Sequence, residues 1–482
     1  MNRRMIIEIL SHVMRVEALL LLIPTCVSVI YGEFNVTFSF LITAALLGLF
    51  SLAGVFTKPK TRDIYAREGF VIVALSWVVL SLFGALPFYI SGHIPSFIDA
   101  FFETVSGFTT TGSSILTDVE IIPKGLIFWR SFTHWIGGMG VLVFMLSVVP
   151  LADSRAMHLM RAEVPGPTVG KLVPKIKDTA RILYGIYIGI TVIEVILLVC
   201  GGMPVFDAFV YTFGSVGTGG FSMHNAGIAH YNSLYIEIVI IVFMVLCGIN
   251  FNLFYFILIG KLRDALKSEE LRWYIIIILC SIAAITLNTM NMYDGVLSSL
   301  RNASFQVTSI ITTTGYVTAD FETWPMLSKC VILALMFTGA CAGSTGGGFK
   351  LSRVILLLKK AANGIKGIVS PKRVAIVKFE GKPVETATLS SASVYLIVYV
   401  AIFMISLLLV AVNNLDFAST VSSVLTCLSN VGPGFGICGA TGNFSDFSVL
   451  SKLVLSIDML LGRLEIYPML MLCSPIIWKK RF

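Results

Sequence analysis

Four stretches of this chain carry groups suited to holding a cation without its water. Thr109-Thr110-Thr111-Gly112 recurs letter for letter as Thr312-Thr313-Thr314-Gly315, and looser copies stand at Gly217-Thr218-Gly219-Gly220 and Ser429-Asn430-Val431-Gly432. An ion stripped of water needs its lost oxygens replaced, and rings of main-chain carbonyls from surrounding strands do this. Turning successive carbonyls to one side demands a backbone that ordinary residues resist and glycine accepts at little cost. Every copy ends in glycine: Gly112, Gly220, Gly315 and Gly432. The second copy is aligned on Gly220, because the Asp99-Ala100-Phe101 and Asp207-Ala208-Phe209 triplets and the aromatic after Gly220 and Gly315 agree; Gly219 is the other open register. The expected ion contacts are Thr110, Thr111, Thr218, Gly219, Thr313, Thr314, Asn430 and Val431. The threonine hydroxyls either add oxygens or pack outward. One such stretch alone reads as small-residue packing between membrane helices. Four copies, each behind a short apolar segment and before a long one, read as four walls around one pore.

A second chemistry lies further along. Gly339, Gly343, Gly346, Gly347 and Gly348 fall within ten residues inside a long apolar run, with Ser344 and Thr345 among them. So many glycines break a helix, and the freed polar backbone must face protein or a watery path. The expectation is a flexible intramembrane loop that closes a pathway. A phosphate-binding loop would need a strand–loop–helix setting, which the apolar flanks do not offer. Arg463 lies in the last apolar run. A charge at mid-membrane costs at least about 2.5–3.5 kcal/mol, so it faces a path or a partner. From the residues alone, an ion pair with Asp458 or Glu465 and a gating role weigh evenly. Glu103, His134, Glu194, Asn250 and Asn252 read as satisfying one another or the backbone.

The elements that must position these groups are membrane spans. Of 482 residues, 56% are hydrophobic and 13% charged, about half the usual charge of a soluble domain. Runs long enough to cross ~30 Å of hydrocarbon fall near 13–32, 36–56, 69–91, 125–149, 181–201, 234–259, 272–292, 326–358, 388–412 and 447–477. The expected fold is all-α and polytopic, with ten transmembrane helices. Most of the 35 basic residues fall in clusters at Arg3-Arg4, 58–67, 155–181, 261–272, 350–382 and 479–481. Those clusters share one face if ten helices alternate, which puts both termini in the cytoplasm. The net charge of +8 therefore orients a membrane protein and does not point to nucleic acid. The segments 151–180 and 359–386 read as solvated basic loops that are also plausible docking surfaces. Segments 97–108, 205–216, 300–311 and 417–428, each about 12 residues, rise only ~18 Å as helices and read as re-entrant half-helices. Their C-terminal ends, negative by the helix dipole, would point at the cation. The resulting organisation is two additional N-terminal helices at 1–66 and four pseudo-repeats of helix, pore helix with filter, and helix. These lie at 67–155, 156–262, 263–362 (with the Gly-rich loop) and 363–482. The nine cysteines are scattered without a CxxC pair, so no disulfide framework or zinc site is expected.

On these residues the chain resembles the potassium-translocating subunits of the Trk/Ktr/HKT superfamily, closest to the bacterial TrkH/TrkG branch, over nearly its whole length. The four tetrads carry the likeness, together with Gly219-Gly220-Phe221-Ser222, Gly432-Pro433-Gly434, the run from Ala342 to Gly348, and Gly462-Arg463-Leu464-Glu465-Ile466-Tyr467-Pro468. The two additional N-terminal helices resemble that branch and not the eight-helix type. The resemblance implies K⁺ uptake, with K⁺ as the transported ion and no organic cofactor. It implies a homodimer amid lipid in a bacterial inner membrane, regulated by a cytoplasmic TrkA-like ring of nucleotide-binding domains. It favours gating for Arg463. Plant relatives that admit Na⁺ often carry Ser at the first glycine, where this chain has Gly112. Two rivals stand beside this reading. A Na⁺- or H⁺-coupled secondary carrier would show two inverted repeats, not four parallel ones. An intramembrane enzyme would need a converging nucleophile–base or metal set, and the six histidines are dispersed.

Overall fold

Small polar residues and prolines start the helices that shape this chain. Ser96, Asp416 and Ser448 accept N–H groups of the first turns of Phe97–Phe108, Phe417–Ser429 and Val449–Arg463. Pro123, Pro204 and Pro325 stand immediately before Lys124–Gly138, Val205–Gly217 and Met326–Thr338. Proline suits that place, where an N–H would go unused. The computed structural model describes residues 2–57, 66–140, 176–370 and 376–475. The first pore repeat's closing span beyond residue 140, most of segment 151–180 and the last basic cluster lie outside the described residues.

Among the described residues, six helices are long and apolar enough to cross a membrane: Arg3–Ile30, Phe34–Ser51, Arg67–Ile90, Asp178–Cys200, Glu269–Thr289 and Thr386–Ala411. Thr386–Ala411, the most apolar, has only 22% of its apolar window buried in the protein. Leu408 and Ile397 on it are each 68% exposed. Continuous bare apolar surface of this kind needs lipid to cover it. The molecule is a multi-pass membrane protein built mostly of helix.

Three expected spans are not straight. The run 234–259 is two helices, Leu234–Cys247 and Phe251–Leu258, bent by 94°. Gly248 and the capping side chain of Asn250, which accepts the Asn252 N–H at 3.0 Å, make that break. The run 326–358 is Met326–Thr338, an irregular stretch, and Leu351–Val369. The last run stops at Arg463 and resumes at Tyr467–Cys473 after Glu465 and Ile466, both at positive φ. Among the described residues the all-α expectation also meets one exception. A hairpin of β1 (Lys378–Phe379) and β2 (Lys382–Pro383) lies in a connection expected to be a loop.

Four short helices sit where half-helices are expected: Phe97–Phe108, Val205–Gly217, Val296–Ile311 and Phe417–Ser429. Asp416 caps the fourth, its Oδ2 accepting the Ser419 N–H at 3.0 Å. The Ser419 hydroxyl and N–H hold the Asp416 carboxyl below its usual range. With a lowered folded value, the cap's stabilisation is complete above the unfolded value near 4 and is lost as pH falls through the folded one. Asp416→Ala is therefore expected to cost about 1 kcal/mol at pH 7. Thermal melts of the two proteins in detergent should converge as the pH drops below the ordinary carboxylate range.

Candidate functional site

Each short helix ends in the same way. The residue after its last turn takes left-handed backbone: Thr110 at φ 53°, Thr218 at 55°, Thr313 at 56° and Asn430 at 54°. The next residue returns its N–H five residues back, Thr111 to Ser106, Gly219 to Gly214, Thr314 to Ser309 and Val431 to Thr426, all at 2.8–2.9 Å. A glycine at positive φ follows, Gly112, Gly220, Gly315 or Gly432. These N–H groups are spent on the helix ends, leaving the carbonyls beyond them for another partner.

The four segments close on one another. A Cβ placed on Gly112 would lie 2.1 Å from the carbonyl oxygen of Gly219, and on Gly220, 1.9 Å from that of Thr314. On Gly315 it would lie 2.3 Å from that of Val431, and on Gly432, 2.7 Å from that of Thr111. Segment one meets two, two meets three, three meets four, and four returns to one. The residue donating the oxygen is each time the one before the next glycine, which matches the register on Gly220. All four glycines line one cavity of about 290 Å³. The negative C-terminal ends of four short helices therefore surround one place.

The hydroxyls mostly turn away from it. Thr109 and Thr312 bond back to Val105 and Thr308 at 2.7 and 2.6 Å, and each also meets the hydroxyl two residues on, at 2.8 Å. Asn430 Nδ2 ties segment four to segment one through the Thr111 hydroxyl at 2.9 Å. Ser429 meets the Tyr399 hydroxyl at 2.8 Å. Thr110 Oγ1 is buried with no hydrogen-bond partner among the described residues.

The Gly-rich stretch lies against the helix-side ends of segments three and four. Gly347 N–H donates to Thr313 Oγ1 at 2.6 Å. A Cβ on Gly346 would sit 2.9 Å from the Thr312 carbonyl oxygen, and on Gly347, 2.7 Å from that of Ser429. Gly339, Gly343 and Gly348 hold positive φ. Ser344 Oγ donates to the Cys341 carbonyl at 2.7 Å. Arg463 donates to Thr345 O at 2.7 Å, to Gly137 O at 2.5 Å and to Gly138 O at 2.7 Å. One guanidinium thus spans the loop and the helix Lys124–Gly138.

A family model described as TrkH, cation transport protein, matches residues 36–480. The chain belongs to the TrkH family of cation transport proteins. It is similar to "Trk system potassium uptake protein TrkH" of Salmonella typhimurium, 36% identical and covering 88% of each chain. It is also similar to the protein of that description from Halomonas elongata, 33% identical over the whole of both chains. The crystal structure of the potassium transporter TrkH from Vibrio parahaemolyticus superposes with a TM-score of 0.89 at 31% identity, covering 99% of this chain and 100% of that one. This is a transport family and not an enzyme family.

In this TrkH-family chain the glycine-rich second tetrad has a packing cause. A Cβ on Gly217 would lie 2.6 Å from the His134 carbonyl oxygen, and on Gly219, 2.2 Å from the His134 ring. His134 itself bridges Gly107 O at 2.7 Å and the Phe221 N–H at 3.3 Å. Glu103 accepts from Ser114 Oγ, Ile115 N–H and Arg130 at 2.5–2.9 Å, and Arg130 reaches Ser222 O at 2.9 Å. Glu194 accepts from Ser215 at 2.5 Å. Asp458 accepts from Ser406 at 2.7 Å, and Glu465 pairs with Arg353. The sequence placed Lys350 in the basic cluster 350–382 on the cytoplasmic face, but the structure buries it, with its Nζ donating to Gly346 O inside the loop; Glu270, which holds the loop from outside, was passed over. Lys350 directly follows Gly348-Phe349 inside the apolar run 326–358, and a cation within that run so close to a broken helix was the available signal.

Proposed function

We propose that this chain takes up K⁺ across a bacterial inner membrane through a filter made of its four tetrads. The filter comprises Thr109 to Gly112, Gly217 to Gly220, Thr312 to Gly315 and Ser429 to Gly432. The ion is held by the carbonyls of Thr110, Thr111, Thr218, Gly219, Thr313, Thr314, Asn430 and Val431. The observation that carries this is the closed cycle of glycine against neighbouring carbonyl, Gly112 to Gly219, Gly220 to Thr314, Gly315 to Val431 and Gly432 to Thr111. Any residue other than glycine would drive a side chain into the oxygen of the next wall. The names of the relatives, Trk system potassium uptake proteins, support K⁺ as the ion.

The gate in this reading is the loop of Gly339, Gly343, Ser344, Thr345, Gly346, Gly347 and Gly348, pinned by Arg463. Two N-terminal spans followed by eight more in four pore repeats, ten in all, put both termini in the cytoplasm. The chain works as a homodimer under a TrkA-like nucleotide-binding ring. The test is flux of K⁺ against Na⁺ from liposomes holding the purified chain, with and without that ring. Preference for K⁺ is expected. Equal permeation of both ions, or none of either with the ring present, would overturn the proposal.

A further inference from the structure

The Gly-rich loop is held by a carboxylate outside the filter and outside Arg463's reach. Glu270 is buried, and its Oε1 accepts the main-chain N–H of Ala342 at 2.8 Å and of Ser352 at 3.1 Å. Ala342 is in the loop and Ser352 is in the first turn of the helix that follows it. One carboxylate oxygen thus serves donors at both ends of the stretch.

The start of Glu270's own helix is held from elsewhere. Ser268 Oγ and the Glu270 N–H donate to Glu380 Oε1 at 2.8 and 3.2 Å, and the Glu269 N–H donates to Glu380 Oε2 at 3.0 Å. Glu380 stands at the tip of the β1–β2 hairpin. Phe379 pairs with Lys382, so Glu380-Gly381 is a two-residue turn, with φ of 50° and 74°. Such turns favour Asn, Asp or Gly at both places. Glutamate is strained there, and strain held at one residue points to a use for its side chain. The longer carboxylate is what reaches the helix end. Lys359, on Leu351–Val369, donates to Lys378 O of the hairpin at 2.8 Å and pairs with Glu269. Hairpin, two helices and loop form one closed set of contacts.

We infer that the hairpin is a latch on the loop. Glu380 positions the start of Glu269–Thr289, Glu270 carries that position to Ala342 and Ser352, and lifting the hairpin lets the loop leave the pathway. This rests on the reading of the loop as the gate. It names a regulatory contact for that gate and the surface from which it is worked.

The test uses the full chain in liposomes without any partner and reads two quantities. One is resting K⁺ flux. The other is the rate at which a small thiol reagent modifies Cys341, buried in the loop, relative to Cys427, buried beside the filter; mass spectrometry resolves the two. Glu380→Asn suits the turn and loses the reach, so damage to the hairpin does not explain its effect. Glu380→Asn and Glu270→Ala should each raise the Cys341 rate and the flux about tenfold, the size of one lost charge-assisted hydrogen bond. Glu270→Gln, which keeps an acceptor oxygen, should do less. Glu380→Asn combined with Glu270→Ala should match Glu270→Ala alone, because the two act in series. An unchanged Cys341 rate, or equal acceleration at Cys341 and Cys427, would overturn the latch. A wild-type chain that conducts no K⁺ even when the regulatory ring is added would instead overturn the pore reading, and the Cys341 ratio would still decide the latch.

Discussion

Gly220→Ala is expected to abolish K⁺ uptake while the chain still folds and inserts. Its new Cβ would stand 1.9 Å from the Thr314 carbonyl oxygen, whereas real Cβ contacts essentially never fall below 3.0 Å. Either the alanine's own segment or the neighbouring wall must move by roughly 1 Å, and both sides of the gap carry carbonyls proposed to hold the ion. Where several groups act on one ligand at once, such a misplacement costs about 100-fold. Backbone strain alone does not give this result, and Gly92 supplies the control. Gly92 has φ 78° against 76° for Gly220, yet nothing lies within 4 Å of a Cβ placed on it. Alanine at positive φ costs about 1–2 kcal/mol at either position, so Gly92→Ala isolates the strain. Uptake by cells lacking other K⁺ transporters should fall about 100-fold for Gly220→Ala and stay within about twofold for Gly92→Ala. Equal loss in both, or selective uptake by Gly220→Ala, would remove the steric argument for the filter.

What could be read in advance divides along physical lines. The half-helices were legible because Phe97–Phe108 and Phe417–Ser429 are too apolar for loops and too short to cross. The tetrads were legible because repetition survives where one Thr-Gly pair means little. The bend at Asn250 was not, because Ile249 and Phe251 flank it and the average apolarity of the run hides one polar cap. The stop after Arg463 was hidden for the same reason, since positive φ at Glu465 and Ile466 leaves no mark on hydropathy. Glu270 and Glu380 were missed for a different reason. Their partners are mostly backbone N–H groups, which every sequence supplies everywhere, and one pairing joins positions 110 residues apart. Only the odd glutamate before Gly381, in a place suited to asparagine, hinted at it. Arg463 stands between these cases. Its cost in a membrane marked it as consequential, but its carbonyl partners Thr345, Gly137 and Gly138 could not be named beforehand.

Those carbonyl partners set the expected behaviour of Arg463→Ala, a rise of about 10- to 100-fold in K⁺ flux without the regulatory ring. Two terms contribute. The guanidinium ties Thr345 of the loop to Gly137 and Gly138 of a neighbouring helix, and a hydrogen bond to a charged group stabilises by roughly 1.5–3 kcal/mol. Its charge also repels the ion. A K⁺ within about 5 Å meets about 3 kcal/mol at an effective dielectric near 20. Alanine removes both terms. It leaves the loop held by the Lys350 bond to Gly346, the Thr313 bond to Gly347 and the Glu270 bond to Ala342, so the site loosens without being lost. Arg463→Lys separates the two terms. Its ammonium keeps the charge but lacks the planar fork that reaches carbonyls on both sides, so its flux should fall between wild type and alanine. A lysine variant as leaky as alanine would assign the closure to the tie, and one as tight as wild type would assign it to the charge. Flux of Arg463→Ala equal to wild type, with and without the ring, would take Arg463 out of the gate and leave it a packing residue.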